Sequence, residues 1–141
     1  MSRKFVSILP FLGAIALFAC NSTAVPGDGD PPRGSIGSIA QQSEWAAIEQ
    51  LEAQARAIAK VEGCAASSDC RAAPVGNRAC GGPRYYLPYC GKTTDSAALY
   101  KKLDEVKSAE DAYNRKYQIS STCEFRMPPT VVATGGSCSA Q

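Results

Sequence analysis

Cysteine is the residue type that most constrains how this chain can fold. Seven cysteines occur in 141 residues, and six of them lie between Cys64 and Cys138. In an exported protein such a set predicts disulfides, whereas in a cytosolic protein it points to metal binding or catalysis. The compartment therefore decides what the cysteines do, and the N-terminal segment indicates the compartment.

The N-terminal segment has the layout of an export signal. Arg3 and Lys4 give it a positive start, and an apolar run follows from Phe5 to Phe18. This run is shorter than the stretch of about 20 apolar residues that a transmembrane helix needs. Residues 1–19 are therefore predicted to be a signal peptide that sends the domain out of the cytosol.

The end of this signal, Leu17-Phe18-Ala19-Cys20, resembles the lipobox of bacterial lipoproteins. Leu17 matches the aliphatic position, Ala19 matches the small residue before the cut, and Cys20 matches the residue that is lipidated. The resemblance implies a lipid anchor at Cys20 and hence the lipid bilayer as a partner. Asn21 in place of aspartate implies the outer membrane facing the periplasm rather than the inner membrane, with cell-surface exposure as a further arrangement. The alternative is an ordinary secretory signal cleaved near Ala19, or an uncleaved anchor.

Residues 20–39 are rich in Gly, Pro, Ser and Asp and contain only scattered aliphatic side chains. Such a segment cannot bury enough apolar surface to offset its chain entropy. It is predicted to be a lipidated N-terminus followed by a flexible linker. The folded domain is then expected to occupy residues 40–141.

Charge and composition exclude several functions. Without Arg3 and Lys4, the 15 basic side chains become 13, which equals the 13 acidic ones, so no basic surface for nucleic acid is expected. The chain has no histidine, which excludes a Ser-His-Asp or Cys-His site within it. The protein is predicted not to be an enzyme, with no catalytic residue and no cofactor assigned.

Two segments have helical periodicity. The first has Ser43 as its N-cap and stops at Gly63, and the second is capped by Thr94. Glu52 and Glu110 are placed off the apolar stripes, on the polar faces. The stripes consist of Trp45, Ile48, Leu51, Ala55, Ile58 and Ala59 in the first helix, and of Leu99, Leu103, Val106, Tyr113 and Tyr117 in the second.

Alternating side chains predict short strands at residues 70–74, 85–89, 123–127 and 130–134. Prolines within or beside these runs confine them to sheet edges or short lengths. The predicted fold class is α+β: two long amphipathic helices against a small, mostly antiparallel sheet, braced by about three disulfides.

The six cysteines of the domain predict three disulfides. Their spacing, Cys-x5-Cys-x9-Cys-x9-Cys-x32-Cys-x14-Cys, lacks the close pairs of zinc modules and contains no Cys-x-x-Cys redox motif, so no metal site is assigned. Six cysteines allow fifteen connectivities, and the sequence leaves them open. The preferred pairing joins Cys80 to Cys90, and joins Cys64 and Cys70 to Cys123 and Cys138.

A scattered set of motifs runs from Cys64 to Cys138. The motifs are Asp69-Cys70, Gly76, Cys80-Gly81-Gly82-Pro83, Tyr86, Tyr113-Asn114, Tyr117, Cys123, Pro128-Pro129 and Cys138. Together they resemble an uncharacterised group of small cysteine-rich exported bacterial proteins. The resemblance supports the domain limits and implies no activity. Cys90 stands where the group has a small polar residue, and the tail cysteine near Ala133 is missing, so no pairing is carried over.

The candidate binding surface consists of Arg84, Tyr85, Tyr86 and Tyr89, residue types that dominate protein interfaces. In the alternative interpretation Tyr85 and Tyr89 fill the core and Arg84 is solvated. The predicted function is a binding or structural module of the cell envelope, whose partner is another envelope or extracellular protein. The alternative function is a protease inhibitor that presents Arg84 or Tyr85 on a convex loop closed by Cys80 and Cys90.

Overall fold

Two long helices and two short β-hairpins make up the domain, which confirms the predicted α+β class. The computed structural model describes residues 37–141, so the predicted signal peptide, Cys20 and most of the linker lie outside the described residues. A short 3₁₀ turn, Ser67–Asp69, precedes the first strand. The elements in chain order are α1 (Ile39–Ile58), β1 (Cys70–Val75), β2 (Tyr85–Cys90), α2 (Ser96–Tyr117), β3 (Val131–Thr134) and β4 (Ser137–Ala140).

Helix α1 begins and ends earlier than predicted. Its N-cap is Ser38, whose Oγ accepts a hydrogen bond from the N–H of Gln41 at 3.3 Å, so Ser43 lies inside the helix. The helix ends at Ile58 rather than Gly63 because the backbone of Lys60 forms hydrogen bonds with residues outside the helix. Its N–H donates to Thr94 Oγ1 at 2.9 Å, and its carbonyl accepts from the N–H of Cys90 at 2.6 Å.

Helix α2 is capped by Asp95 rather than by Thr94. The Asp95 carboxylate accepts from the N–H of Ala98 at 3.0 Å, while Thr94 is buried against the end of α1. The helix ends at Tyr117, because Gln118 adopts the left-handed conformation with φ 50°. The two capping interactions therefore fix where the second helix starts and where the chain leaves it.

The two helices pack antiparallel and cover one face of the β1–β2 hairpin. Trp45, near the start of α1, lies 5.2 Å from the ring of Tyr113, near the end of α2. Most of the predicted stripes are confirmed as core. The buried core comprises Trp45, Ile48, Ala55, Ala73, Val75, Tyr89, Leu99, Leu103, Val106 and Tyr113.

Both sheets are two-stranded and antiparallel. In the first, Cys70 lies opposite Cys90 and Val75 opposite Tyr85, so residues 76–84 form the connecting loop. In the second, β3 and β4 meet at Gly135-Gly136, whose φ values of 59° and 82° suit a tight hairpin turn. The strand predicted at residues 123–127 does not form, because no strand within residues 37–141 pairs with this part of the chain.

Three disulfides brace the domain, as predicted, but their pairing differs from the preferred one. Cys80 does not pair with Cys90, because the register of the hairpin places Cys90 at its open end, whereas Cys80 lies in the connecting loop. The link from Cys70 to Cys138 falls within the prediction. The three pairs are Cys64–Cys90, Cys70–Cys138 and Cys80–Cys123.

The disulfides fall into two kinds. Cys64–Cys90 and Cys70–Cys138, here called the core bridges, are buried and pack with Val131 and Ala133 into a second small core. Cys80–Cys123, here called the surface bridge, joins two exposed cysteines and links the β1–β2 loop to the chain that follows α2. Within residues 37–141, no helix has both the length and the apolarity needed to cross a membrane.

Candidate functional site

The predicted tyrosine surface on β2 is largely occupied by the protein itself. Tyr89 is 4% exposed and belongs to the core. The Tyr85 hydroxyl donates to Glu52, and the half-buried Tyr86 donates to the backbone carbonyl of Arg126 at 3.3 Å. These tyrosines therefore do not form an open patch; they support neighbouring segments of the chain.

Arg84, the fourth residue of that prediction, is held in a buried ion cluster. Its guanidinium donates through Nε to Glu110 Oε1 at 2.8 Å, and its Nη2 contacts both Glu110 and Glu52. The side chains of Arg84 and Glu110 are 13% and 1% exposed. Breaking such a pair leaves a buried charge without its partner, so the cluster fixes the start of β2 against both helices.

The ionisation of the cluster follows from its contacts. Burial by itself would raise the pKa of Glu52, but hydrogen bonds from Tyr85 and Arg84 lower it below its usual range. Burial opposes the charged form of Arg84, yet Glu110 and Glu52 raise its pKa above the ordinary value. Burial and the hydrogen bond to Glu52 raise the pKa of the Tyr85 hydroxyl. At neutral pH Glu52 is therefore a carboxylate, Arg84 a guanidinium cation and Tyr85 a neutral phenol.

Glu110 also anchors the β1–β2 loop. Glu110 accepts from the backbone N–H of Asn77 at 2.6 Å, and Asn114 donates to the carbonyl of Asn77 at 2.7 Å. Gly76 adopts φ +77°, and a Cβ built there would lie 2.5 Å from Glu110 Oε2. Only glycine lets the loop approach the carboxylate this closely. Helix α2 thus determines where the loop begins.

The loop in turn holds the chain that leaves α2. Cys80 is bonded to Cys123, with their Cα atoms 5.3 Å apart. The backbone N–H of Cys80 also donates to Ser121 Oγ at 3.0 Å. Cys123 and Ser121 are therefore attached to Cys80 by one covalent bond and one hydrogen bond.

Two side chains continue this attachment through backbone carbonyls. Arg78 reaches the carbonyl of Thr122 at 3.5 Å and also donates to the carbonyl of Glu124. Tyr86 donates to the carbonyl of Arg126. Carbonyls of alternate residues thus face the body of the domain, which is the pattern of an extended strand.

Residues 119–130, here called the extended segment, run without a helix, strand, turn or bend. Phe125 and Met127 are 86% and 71% exposed, although both are large apolar side chains. Residues 122–128 are all exposed. An exposed apolar segment that is nevertheless held in place by a disulfide and several hydrogen bonds is typical of a binding site.

Sequence reasoning missed the two acids that hold Arg84, although a signal for both was present. Positions 99, 103, 106, 110, 113 and 117 repeat at four- and three-residue intervals, so Glu110 lies on the apolar stripe of α2. Glu52 is likewise spaced four residues from Ile48 and three from Ala55 on α1. A single acid within an apolar stripe predicts a buried charge that requires a basic partner.

The loop proposed for a protease inhibitor is not built as expected. Cys80 and Cys90 are not joined, so no disulfide closes the chain between them. Arg84 and Tyr85 lie in the ion cluster and are not displayed on a convex loop. The exposed and braced part of the domain is the extended segment instead.

The core bridges bring three sulfur atoms close together. The Sγ atoms of Cys64, Cys70 and Cys138 lie within 4.8 Å of one another. Metal ions bind the cysteine thiolate. Each of these sulfurs is bonded to another sulfur, so the cluster is a consequence of two neighbouring disulfides.

A shallow groove of about 230 Å³ lies between the helices. Ile48 and Leu51 contribute to one wall and Ala109 to the other, and an ion pair between Glu44 and Lys116 lies at its edge. The groove is apolar and small, and Tyr113 is the one polar side chain among residues 37–141 that lines it besides this surface pair. The extended segment is therefore the stronger candidate for function.

The functional interpretation therefore depends on the extended segment and on the residues that hold it. No protein-family model, no curated protein and no solved structure matches the chain.

Proposed function

We propose that this protein is a membrane-anchored bacterial lipoprotein of the cell envelope whose domain is a non-catalytic binding module. Its partner is another envelope or extracellular protein, and the extended segment is the surface that binds it. The lipid on Cys20 holds the protein at the bilayer, with the outer membrane facing the periplasm as the favoured location.

The anchoring part of the proposal is supported by the resemblance of Leu17-Phe18-Ala19-Cys20 to a lipobox. Three disulfides are consistent with it, because they form and persist outside the reducing cytosol. Two or more lipid chains hold a protein stably at a membrane, whereas one chain does so only marginally. Residues 20–37 would then separate the bilayer from the domain, whose first helix is capped by Ser38.

The binding part depends on one observation: the domain displays Phe125 and Met127 on a segment that a disulfide and hydrogen bonds attach to it. Ordering an exposed segment costs conformational entropy, which the protein alone does not recover. Preorganisation of this kind increases affinity for a partner, because less entropy is lost on binding. The arrangement therefore favours recognition over a purely structural role.

Affinity capture from solubilised native envelopes tests the binding module. We expect wild-type protein to retain a specific envelope protein and the Phe125→Ala/Met127→Ala variant to lose it. Ile39→Ala is the matched control, because Ile39 is also apolar and is 87% exposed but lies at the start of α1. Equal capture by wild type and the double variant would contradict the proposed surface.

Fractionation of cells tests the anchor. We expect Cys20→Ser to release the protein from the membrane fraction and to change its electrophoretic mobility, because neither lipidation nor the associated cleavage occurs. Membrane association with unchanged mobility would show that the anchor is not a lipid on Cys20.

A further inference from the structure

We infer that the partner of the extended segment is a chymotrypsin-like serine protease, which binds residues 122–127 as a substrate-like strand with Phe125 in its specificity pocket. This inference rests on the proposed function and names the class of partner for the same surface.

The backbone of the segment has one free edge. In an extended strand the N–H and carbonyl of one residue point to the same side, and successive residues alternate between the two sides. The carbonyls of Thr122, Glu124 and Arg126 face the domain. The peptide groups of Cys123 and Phe125 therefore face solvent, where an added strand can pair with them.

Phe125 is the side chain best placed to enter a specificity pocket. It is the most exposed aromatic side chain among residues 37–141, and chymotrypsin-like enzymes select such residues with an apolar slot. The alternation of an extended strand places its carbonyl on the side opposite to those of Glu124 and Arg126, from which a protease would approach. Met127 is the weaker candidate, because Pro128 follows it and has no N–H to offer.

Both sides of the Phe125–Arg126 peptide bond are attached to the domain. Arg78 and the surface bridge hold the chain before it, and Tyr86 holds the carbonyl after it. After cleavage, the two halves of a flexible substrate separate and leave the enzyme as products. A segment that is attached to its domain on both sides of the bond stays in place. This property distinguishes an inhibitor from a substrate and increases affinity through preorganisation.

Charge argues against a lipid surface as the occupant of this segment. Glu124 and Arg126 flank Phe125 with opposite charges, and both are exposed. Anionic lipids attract clusters of basic residues and repel acidic ones. A protein cleft that binds an extended chain accommodates this alternation, because the flanking side chains project away from Phe125.

The test measures hydrolysis of small peptide substrates by chymotrypsin and trypsin, with the oxidised full chain in detergent as inhibitor. We expect competitive inhibition of chymotrypsin at sub-micromolar concentration. Phe125→Ala should raise the inhibition constant by at least about 30-fold, as expected for a central interface residue. Phe125→Arg should transfer inhibition from chymotrypsin to trypsin. Ile39→Ala, at an exposed apolar residue outside the segment, should leave the constant unchanged.

Absence of inhibition by wild type, or rapid cleavage of the Phe125–Arg126 bond without inhibition, would overturn the inference. Envelope capture with Phe125→Ala separates the two proposals. If chymotrypsin is not inhibited but capture still requires Phe125, the partner is another protein and only the protease inference falls. If capture is unchanged, or if Phe125 instead drives sedimentation with phosphatidylglycerol vesicles, both proposals fall.

Discussion

The two ends of the β1–β2 hairpin are braced by disulfides in different surroundings. At the open end, the core bridges are buried and tie the hairpin to the segment after α1 and to β4. At the loop end, the surface bridge is exposed and ties the loop to the extended segment. The difference indicates a division of labour: the core bridges hold the fold together, and the surface bridge positions the extended segment, which is the proposed binding surface.

Polar contacts add to the disulfide at the loop end. Glu110 is buried and accepts from both Arg84 and Asn77, so α2 holds the strand and the loop at once. The loop then holds the extended segment through Arg78 and Cys80. Charged and polar groups on α2 thus hold the loop, and the loop holds the proposed binding surface in position.

Removal of a core bridge should have the largest effect. Cys70→Ala/Cys138→Ala should lower the free energy of unfolding by about 4 kcal/mol, because the bridge closes a long loop and its sulfurs fill the second core. Urea denaturation of oxidised protein measures the loss. A chain-entropy account gives nearly the same loss for the surface bridge, since the sequence separations are 68 and 43.

We expect less than half that loss for Cys80→Ala/Cys123→Ala. Without the surface bridge the extended segment can detach locally while the core stays folded, which returns entropy to the native state. Equal losses for the two double variants would contradict the division of labour.

The next largest effect is expected for the buried carboxylate. Glu110→Ala should cost about 3 kcal/mol, because it leaves Arg84 with one partner and Asn77 without an acceptor. The matched control is Glu105→Ala on the same helix, which removes only a surface ion pair with Lys102 and should cost less than about 0.5 kcal/mol. Similar losses for both variants, measured by urea denaturation, would show that the cluster does not anchor the loop.

The helices and the apolar core were predictable because helical periodicity reports burial directly. Leu99, Leu103 and Val106 lie in the core as their spacing indicates. The exact ends of the helices were not predictable, because Lys60 and Thr94 bond to each other although they are distant in sequence. Disulfide pairing was not predictable for the same reason. The hairpin register places Cys70 and Cys90 opposite each other at the open end, and each is bonded to a cysteine outside the hairpin.

The residues of the predicted candidate surface make contacts within the domain, for a related reason. Tyr85 and Arg84 have the composition of an interface, but Glu52 and Glu110 bind them from the helices. The alternation around Phe125 predicted a strand, but no strand within residues 37–141 pairs with this segment, and local alternation does not reveal whether a partner strand exists. Exposure of such a segment depends on the tertiary contacts of Arg78 and Tyr86, which local sequence patterns do not encode.

A smaller effect is expected where the loop meets α2. Gly76→Ala should cost about 2 kcal/mol more than Gly81→Ala, because both glycines have positive φ but only Gly76 is in close contact with Glu110. Thermal denaturation of the two variants, side by side, isolates the close contact from the backbone strain. Equal melting temperatures would mean that the loop can move away from Glu110 at little cost.

The smallest effect concerns pH. The pKa of Glu52 is lower in the folded protein than its ordinary value of 4.5, so its contribution to stability is complete above that pH and is lost as the pH falls through the folded value. Glu52→Gln should therefore be less stable than wild type at neutral pH, and the difference should shrink in acid. A difference that is constant from neutral pH to about pH 3 would contradict the ionised cluster.

Backbone ¹⁵N relaxation of residues 121–127 tests the central claim most directly, with wild type compared to Cys80→Ala/Cys123→Ala. The claim is that the surface bridge positions the extended segment while the core bridges maintain the fold. For residues 121–127 it predicts order parameters of about 0.85 in wild type and below about 0.6 in the variant. The values in α1, α2 and both hairpins should be the same in the two proteins. A segment that is equally ordered in both proteins, or a loss of order that spreads into the helices, would contradict it.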